Sequence, residues 1–213
     1  MDEAFWHERW AKGEIGFHEG RPNRLLAQHL PRLGLRSGAR VFVPLCGKAH
    51  DLLWLVAQGF TVIGAELSPL AVEELFASFG RAPRSRDAGA LRRVEADALT
   101  VCVGNVFDLD AATLGPVDAV YDRAALVALP EAMRRRYARH VSAITGGAPQ
   151  LLVTFEYDPA RPIAPPFAVD AAEVRTLYAG SHRPTLLERC PVPGGLKGVE
   201  PAHAAAWLLE RPG

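Results

Sequence analysis

Arg40-Val-Phe-Val-Pro-Leu-Cys-Gly-Lys48, continuing to Val62-Ile-Gly-Ala-Glu66-Leu-Ser68, reads as strand, tight loop, helix and second strand, closed by a carboxylate. Arg40 to Val43 forms the first, apolar strand. A helix pattern follows with Ala49, Leu52, Leu53, Leu55 and Val56 apolar, and Gly59 stands where a left-handed cap residue ends it. Thr61 to Ala65 reads as a buried strand. Glu66 comes just past its end, about 20 residues beyond the loop, where an acid takes both hydroxyls of an adenosine ribose in doubly wound sheets. The alternative is a generic βαβ unit whose Glu faces solvent.

Working outward, the segment before Arg40 holds Trp6, Trp10, Phe17 and a helix pattern at Leu25, Leu26, His29 and Leu30, and reads as an extension laid over the core. After Glu66, Ser68 is placed to cap a helix with Pro69 in its first position, running to Phe79. An Arg-rich loop is expected over Arg81 to Gly89. Leu91 to Glu95 and Leu99 to Val103 read as a hairpin or meander, Val117 to Tyr121 as the next buried strand, and Asp122-Arg123 as its exit. Pro130 opens a helix carrying Met133, Tyr137, Val141 and Ile144 that ends at Gly146-Gly147. Leu151 to Phe155 is a further strand. The loop Tyr157 to Val169 holds four of the 17 prolines, a stiff segment suited to covering something. Asp170 to Glu173 resembles a capping box for a short helix ending at Gly180, and Thr185 to Arg189 with Ala204 to Leu209 give an antiparallel finish. Strands alternating with helices predict an α/β, mostly parallel sheet with ligands outside the carboxyl ends of its strands. Those ends are Pro44 to Lys48, Glu66, Gly104 to Val106, and Asp122-Arg123.

The 213 residues contain no Ser/Gly-rich or charged linker, so a single domain over 1–213 is expected, with 1–38 as a cover and 39–213 as the core. Equal numbers of basic and acidic residues, 24 each, argue against nucleic acid or an anionic membrane as partner. A polar start and the lack of an 18-residue apolar run predict a soluble, cytoplasmic protein, expected to be a monomer. Three scattered cysteines fit neither a disulfide framework nor zinc spacing, so no metal is expected.

A dinucleotide site wants GxGxxG after the first strand, so that the pyrophosphate approaches a helix N-terminus. Here only Gly47 remains, with Pro44 and Leu45 where two glycines would stand. That disfavours NAD. A nucleoside with a zwitterionic amino-acid tail needs less of a phosphate cradle, and S-adenosylmethionine fits that description.

Six blocks, Trp6-His-Glu-Arg-Trp10, Ile15-Gly-Phe-His18, Val43-Pro-Leu-Cys-Gly-Lys48, Gly64-Ala-Glu-Leu-Ser68, Tyr121-Asp-Arg-Ala-Ala-Leu-Val-Ala128 and Tyr157-Asp-Pro with Pro165-Pro-Phe167, resemble the thiopurine S-methyltransferases, especially the bacterial members. The resemblance implies a Rossmann-like class I methyltransferase fold and methyl transfer from S-adenosylmethionine to the thiol of an aromatic or heterocyclic small molecule. It also implies that Trp10, Leu45, Glu66 and Arg123 contact the cofactor and that Phe17 lies beside the acceptor. Glu66 is expected to bind the ribose diol and to stay ionised. Leu45 and Gly47 form the turn under the methionine part, and Asn105 and Val106 stand where the adenine edge is read.

Arg123 is the candidate catalytic residue, as a cation that stabilises a thiolate. Asp122 either orients Arg123 or caps the strand end. Trp10 and Phe17 have ordinary packing as their alternative. Cys46 reads as a small turn-filling residue rather than a nucleophile, and His7, His18 and His50 as hydrogen-bonded rather than metal-bound. At the C-terminus the segment Cys190 to Gly198 departs from the family, with Lys197 as its one base. That leaves two other readings open: methylation of inorganic sulfur, selenium or tellurium species, or a non-catalytic nucleoside-binding protein.

Overall fold

The computed structural model describes residues 3–14, 19–161 and 163–212. In chain order the elements are α1 (Glu3–Ala11), α2 (Arg24–His29), β1 (Arg40–Pro44), α3 (His50–Ala57), β2 (Thr61–Glu66), α4 (Pro69–Phe79), β3 (Arg84–Ala88), β4 (Leu91–Ala96), β5 (Leu99–Val103), α5 (Ala111–Leu114), β6 (Ala119–Arg123), α6 (Glu131–Ile144), β7 (Gln150–Glu156), α7 (Ala171–Tyr178), β8 (Arg183–Pro191) and β9 (His203–Glu210). All nine strands join one sheet in the order β3-β4-β5-β2-β1-β6-β7-β9-β8. The five central strands, β5 to β7, are parallel, and only β4 and β9 run against the rest.

Alternation along the strands builds two cores. Val41 and Val43 of β1 face Leu25, Leu26, Leu52, Leu55 and Leu75, whereas Phe42 faces Leu126, Tyr137, Val141 and Trp207. Local signals set the helix ends: Ser68 accepts from the Ala71 N–H at 3.3 Å, Pro69 starts α4, and Gly80 ends it at φ 68°. Asp170 likewise accepts from the Glu173 N–H at 2.8 Å. The reciprocal half of the expected capping box is missing, because the Glu173 carboxylate turns to Arg134, receiving Nε at 2.6 Å and Nη2 at 3.1 Å.

Two expectations are corrected. The segment expected as a loop over 81–89 contains β3, an exposed strand whose register comes from pairing with β4 rather than from an apolar face of its own. Its arginines keep that edge from recruiting another strand. Asp122 and Arg123 are the last residues of β6, not a loop after it.

Gly64 shows how tightly the first unit is packed. A Cβ there would lie 2.6 Å from Cys46 Sγ and 3.3 Å from a Val101 methyl. Gly64→Ala is therefore expected to lower unfolding free energy by about 1–3 kcal/mol. Adding Cys46→Ala should recover most of that loss, and urea unfolding of the two single variants and the pair tests it; strict additivity would contradict the contact.

Candidate active site

The carboxyl ends of β1, β2, β5 and β6 meet at the point where the chain order reverses about β1, as sequence spacing required. A cavity of about 640 Å³ opens there. Leu45, Cys46, Lys48, Glu66, Leu67, Gly104, Asn105, Val106 and Arg123 line its floor. Trp10 and Glu19 reach it from the N-terminal cover, and Pro165, Pro166 and Leu196 to Lys197 from later loops.

The loop after β1 is shaped by unusual backbone. Leu45 has φ 46° and Gly47 φ 53°, which curls the chain back so that the Cys46 N–H donates to the Ala65 carbonyl at 3.0 Å and Gly47 N–H to Glu66 Oε2 at 2.8 Å. Glu66 Oε1 accepts from the Ser68 N–H at 2.8 Å. Glu66 is 6% exposed, so its carboxylate is clamped by backbone on one side while it borders the cavity. A carboxylate has about four acceptor positions, and two remain for a vicinal diol. Burial is the largest influence on its acidity and pushes the carboxyl up, against the three backbone N–H groups of Ser68, Gly47 and Leu67. The backbone N–H groups favour the charged form, as expected of hydrogen-bond donors, and burial opposes them. Gly47 does not reach the cavity wall and acts through Glu66.

Asn105 is more committed than its residue type suggested. Its side-chain oxygen accepts from the Phe107 N–H at 2.9 Å, capping a short 3₁₀ turn, and its amide donates to Glu3 Oε1 at 2.7 Å. The Val106 carbonyl is bonded to the His140 ring at 2.7 Å. The adenine edge, expected to meet the Asn105 carboxamide, would find that group already tied to α1 and to the turn. Trp10 is 5% exposed and lines the cavity, so packing of the cover and contact with the site coincide in one residue. Phe17 and His18 lie outside the described residues. Among the described residues no cluster of His, Cys, Asp or Glu could hold a metal.

Asp122 and Arg123 part ways, because neighbours on a strand point to opposite faces. Arg123 borders the cavity and donates Nη2 to Glu19 Oε1. Asp122, fully buried, accepts from the Leu126 N–H at 3.1 Å and from the Tyr137 hydroxyl at 2.6 Å, so it caps the strand end and does not orient Arg123. Burial raises its pKa to about 6, against the pull of Tyr137. An unfolded aspartate titrates near 3.9, so the stability this proton brings is complete below about pH 4 and is lost as pH rises through about 6. Asp122→Asn is expected to gain stability relative to the parent between those limits, by roughly 3 kcal/mol at most at pH 8. Urea midpoints at pH 4.5 and 8 check it, and an equal gap at both would contradict it.

Sequence reading missed Glu19 and Asp51. Asp51, in the first turn of α3, is 3% exposed and accepts from the Asn23 N–H at 2.6 Å and the Tyr121 hydroxyl at 2.9 Å. Burial raises its carboxyl pKa in spite of those bonds and of nearby Arg123. Lys197 does reach the cavity, donating to the Ile163 carbonyl at 3.0 Å and to the Pro165 carbonyl, and burial, then Arg9, lower its pKa. Cys46 is buried, with its thiol pushed far up by desolvation, which leaves it a filler.

Comparison with known proteins agrees with this geometry. The family model for thiopurine S-methyltransferase matches residues 1–196. A thiopurine S-methyltransferase of Xanthobacter autotrophicus is 54% identical, covering 99% of this chain and 100% of its own length, and one of Gluconobacter oxydans is 49% identical, covering 96% and 93%. Among solved structures, a 1,6-didemethyltoxoflavin-N1-methyltransferase of Burkholderia thailandensis with bound S-adenosylhomocysteine shares the fold at TM-score 0.70 and 17% identity, covering 99% of this chain and 87% of that one. A TehB-like S-adenosylmethionine-dependent methyltransferase of Corynebacterium glutamicum does so at TM-score 0.59 and 12% identity, with 99% and 98% covered. The fold is thus that of a Rossmann-like class I methyltransferase, and the chain is an S-adenosylmethionine-dependent enzyme that belongs to the thiopurine S-methyltransferase family.

Proposed function

We propose that the enzyme methylates the sulfur of an aromatic or heterocyclic thiol, as a single-domain cytoplasmic monomer in which residues 1–38 cover the site. The observation that carries this reading is Glu66, a buried carboxylate fixed by two backbone N–H groups beside a cavity with apolar walls. Glu66 would hold the ribose diol, Leu45 the methionine part, Val106 and Asn105 the adenine side, and Trp10 would exclude water from above. Bound there, S-adenosylmethionine supplies a methyl on a sulfonium sulfur, and a thiolate's electron pair forms the new S–C bond as the sulfonium–methyl bond breaks, leaving neutral S-adenosylhomocysteine. Opposite charges cancel in that displacement, so a dry and well-positioned site contributes more than a strong base.

The residues support the acceptor assignment by their chemistry. Met133, Phe155, Pro165, Pro166, Val192 and Leu196 give the cavity an apolar wall. The cavity of about 640 Å³ holds the cofactor as well, so the apolar character of this wall, rather than the volume, bears on the acceptor. That favours a flat organic acceptor over hydrosulfide or an oxyanion. Arg123 is the cation nearest the carboxyl end of β6 and cannot act as a base, since a guanidinium keeps its proton in proteins. Its role is to favour the thiolate. The monomer is supported by the surface, where Leu70 and Leu186 are the exposed large apolar side chains among the described residues. Three unbridged cysteines fit a reducing compartment.

Calorimetric titration with S-adenosylmethionine, S-adenosylhomocysteine and NAD, followed by labelled methyl donor with aryl thiols, hydrosulfide and selenite, tests the reading. Heat from the first two ligands only, and label on aryl sulfur, are expected. Label on selenite or hydrosulfide alone would replace it with the chalcogen reading.

A further inference from the structure

Arg123 does not face the cavity as a lone cation. Its side chain is 9% exposed and is paired with Glu19, which borders the same cavity from the cover. Glu19 is held in turn: the Asn23 amide donates to its two oxygens at 3.2 and 3.4 Å, and the Asn23 N–H is anchored on Asp51, which also binds Tyr121 two residues before Arg123. The carboxylate is thus seated on the guanidinium by the fold. Other charges bordering the cavity are engaged elsewhere. Lys48 pairs with Glu74 at 2.5 Å, Glu66 is clamped by backbone, Glu3 meets Asn105, Arg9 lies 3.8 Å from Glu14, and Lys197 sits on two carbonyls.

We propose that Glu19 is a specificity-determining residue that cancels much of the Arg123 charge felt by the acceptor, so that the enzyme depends on thiols acidic enough to ionise by themselves. This rests on the thiol-methylation reading above. A guanidinium alone would lower the pKa of a nearby thiol, and a carboxylate fixed beside it opposes that effect. An aryl or heteroaryl thiol supplies its own thiolate near neutral pH. An alkyl thiol, with a pKa near ~8.5, stays protonated and inert. The proton leaves to solvent before transfer, and no base in the cavity is required.

Glu19→Gln keeps an oxygen for Arg123 and removes the charge. In the dead-end complex with S-adenosylhomocysteine, ultraviolet titration of a bound aryl thiol should show its pKa lowered by about one unit relative to the parent enzyme. Turnover of 2-mercaptoethanol relative to the aryl thiol at pH 7 should rise about tenfold with it. Glu19→Ala, which removes the hydrogen bond as well, should move both in the same direction, while cofactor affinity stays within about twofold in either variant. An unmoved pKa and ratio would overturn the proposal, as would a large loss of cofactor affinity, which would mean that Glu19 merely seats the cover. If Arg123→Ala raises the bound thiol's pKa while Glu19→Gln changes nothing, only the Glu19 assignment fails. If label never reaches sulfur, the thiol reading itself fails.

Discussion

Replacement of Glu66 by glutamine is expected to weaken S-adenosylmethionine binding by at least 100-fold, about 3 kcal/mol. Each Glu66 oxygen receives a backbone N–H, from Gly47 and from Ser68. An amide in place of the carboxylate sets its NH₂ against one of those donors, so the side chain must turn or the loop must open. Either change removes the charge-assisted bonds proposed between Glu66 and the ribose diol, each worth roughly 1.5–3 kcal/mol. Because burial already raises the Glu66 pKa, binding in the parent enzyme should also weaken toward acid, as the carboxyl takes up a proton. Calorimetry across pH measures both effects. Tight, pH-independent binding by Glu66→Gln would remove Glu66 from the cofactor site.

Arg123→Ala should lower kcat/KM for an aryl thiol by about 10²–10³-fold. Much of that loss comes from what is left behind. Without the guanidinium, Glu19 borders the cavity as an unbalanced anion, and buried Asp51 loses a nearby positive charge. Both repel a thiolate. Adding Glu19→Gln to Arg123→Ala should therefore restore at least tenfold, a non-additive result that simple loss of packing would not produce. Arg123→Lys, a point charge without the planar fork, should fall between. Steady-state kinetics on the three single variants and the pair decide it, and full activity of Arg123→Ala would end the assignment.

What could be read from the sequence is what depends on near neighbours. The unit from Arg40 to Glu66 and the helix start at Ser68 and Pro69 are set by local periodicity and backbone preference, and they fold as the residues indicate. The site's floor follows from them. β3 escaped because its four exposed residues carry no apolar alternation; β4 dictates its pairing. Asp51 and Glu19 escaped because an acid in a helix's first turn and an acid beside Gly20 look like ordinary surface residues. Only contacts distant in sequence, Asn23 with Asp51 and Glu19 with Arg123, give them their places. A period-of-two reading of Tyr121-Asp-Arg would have separated Asp122 from Arg123 at once. Lys197 was visible as a base, but its approach to the cavity depends on a loop with φ 50° at that residue, which periodicity does not encode.

The most direct test of the account is the fate of the methyl group. Incubated with methyl-labelled S-adenosylmethionine and a heterocyclic aryl thiol, the enzyme should give one S-adenosylhomocysteine per labelled thioether, with the label on sulfur by mass spectrometry. Label on ring nitrogen or oxygen, or tight cofactor binding with no labelled product from any thiol, would contradict it.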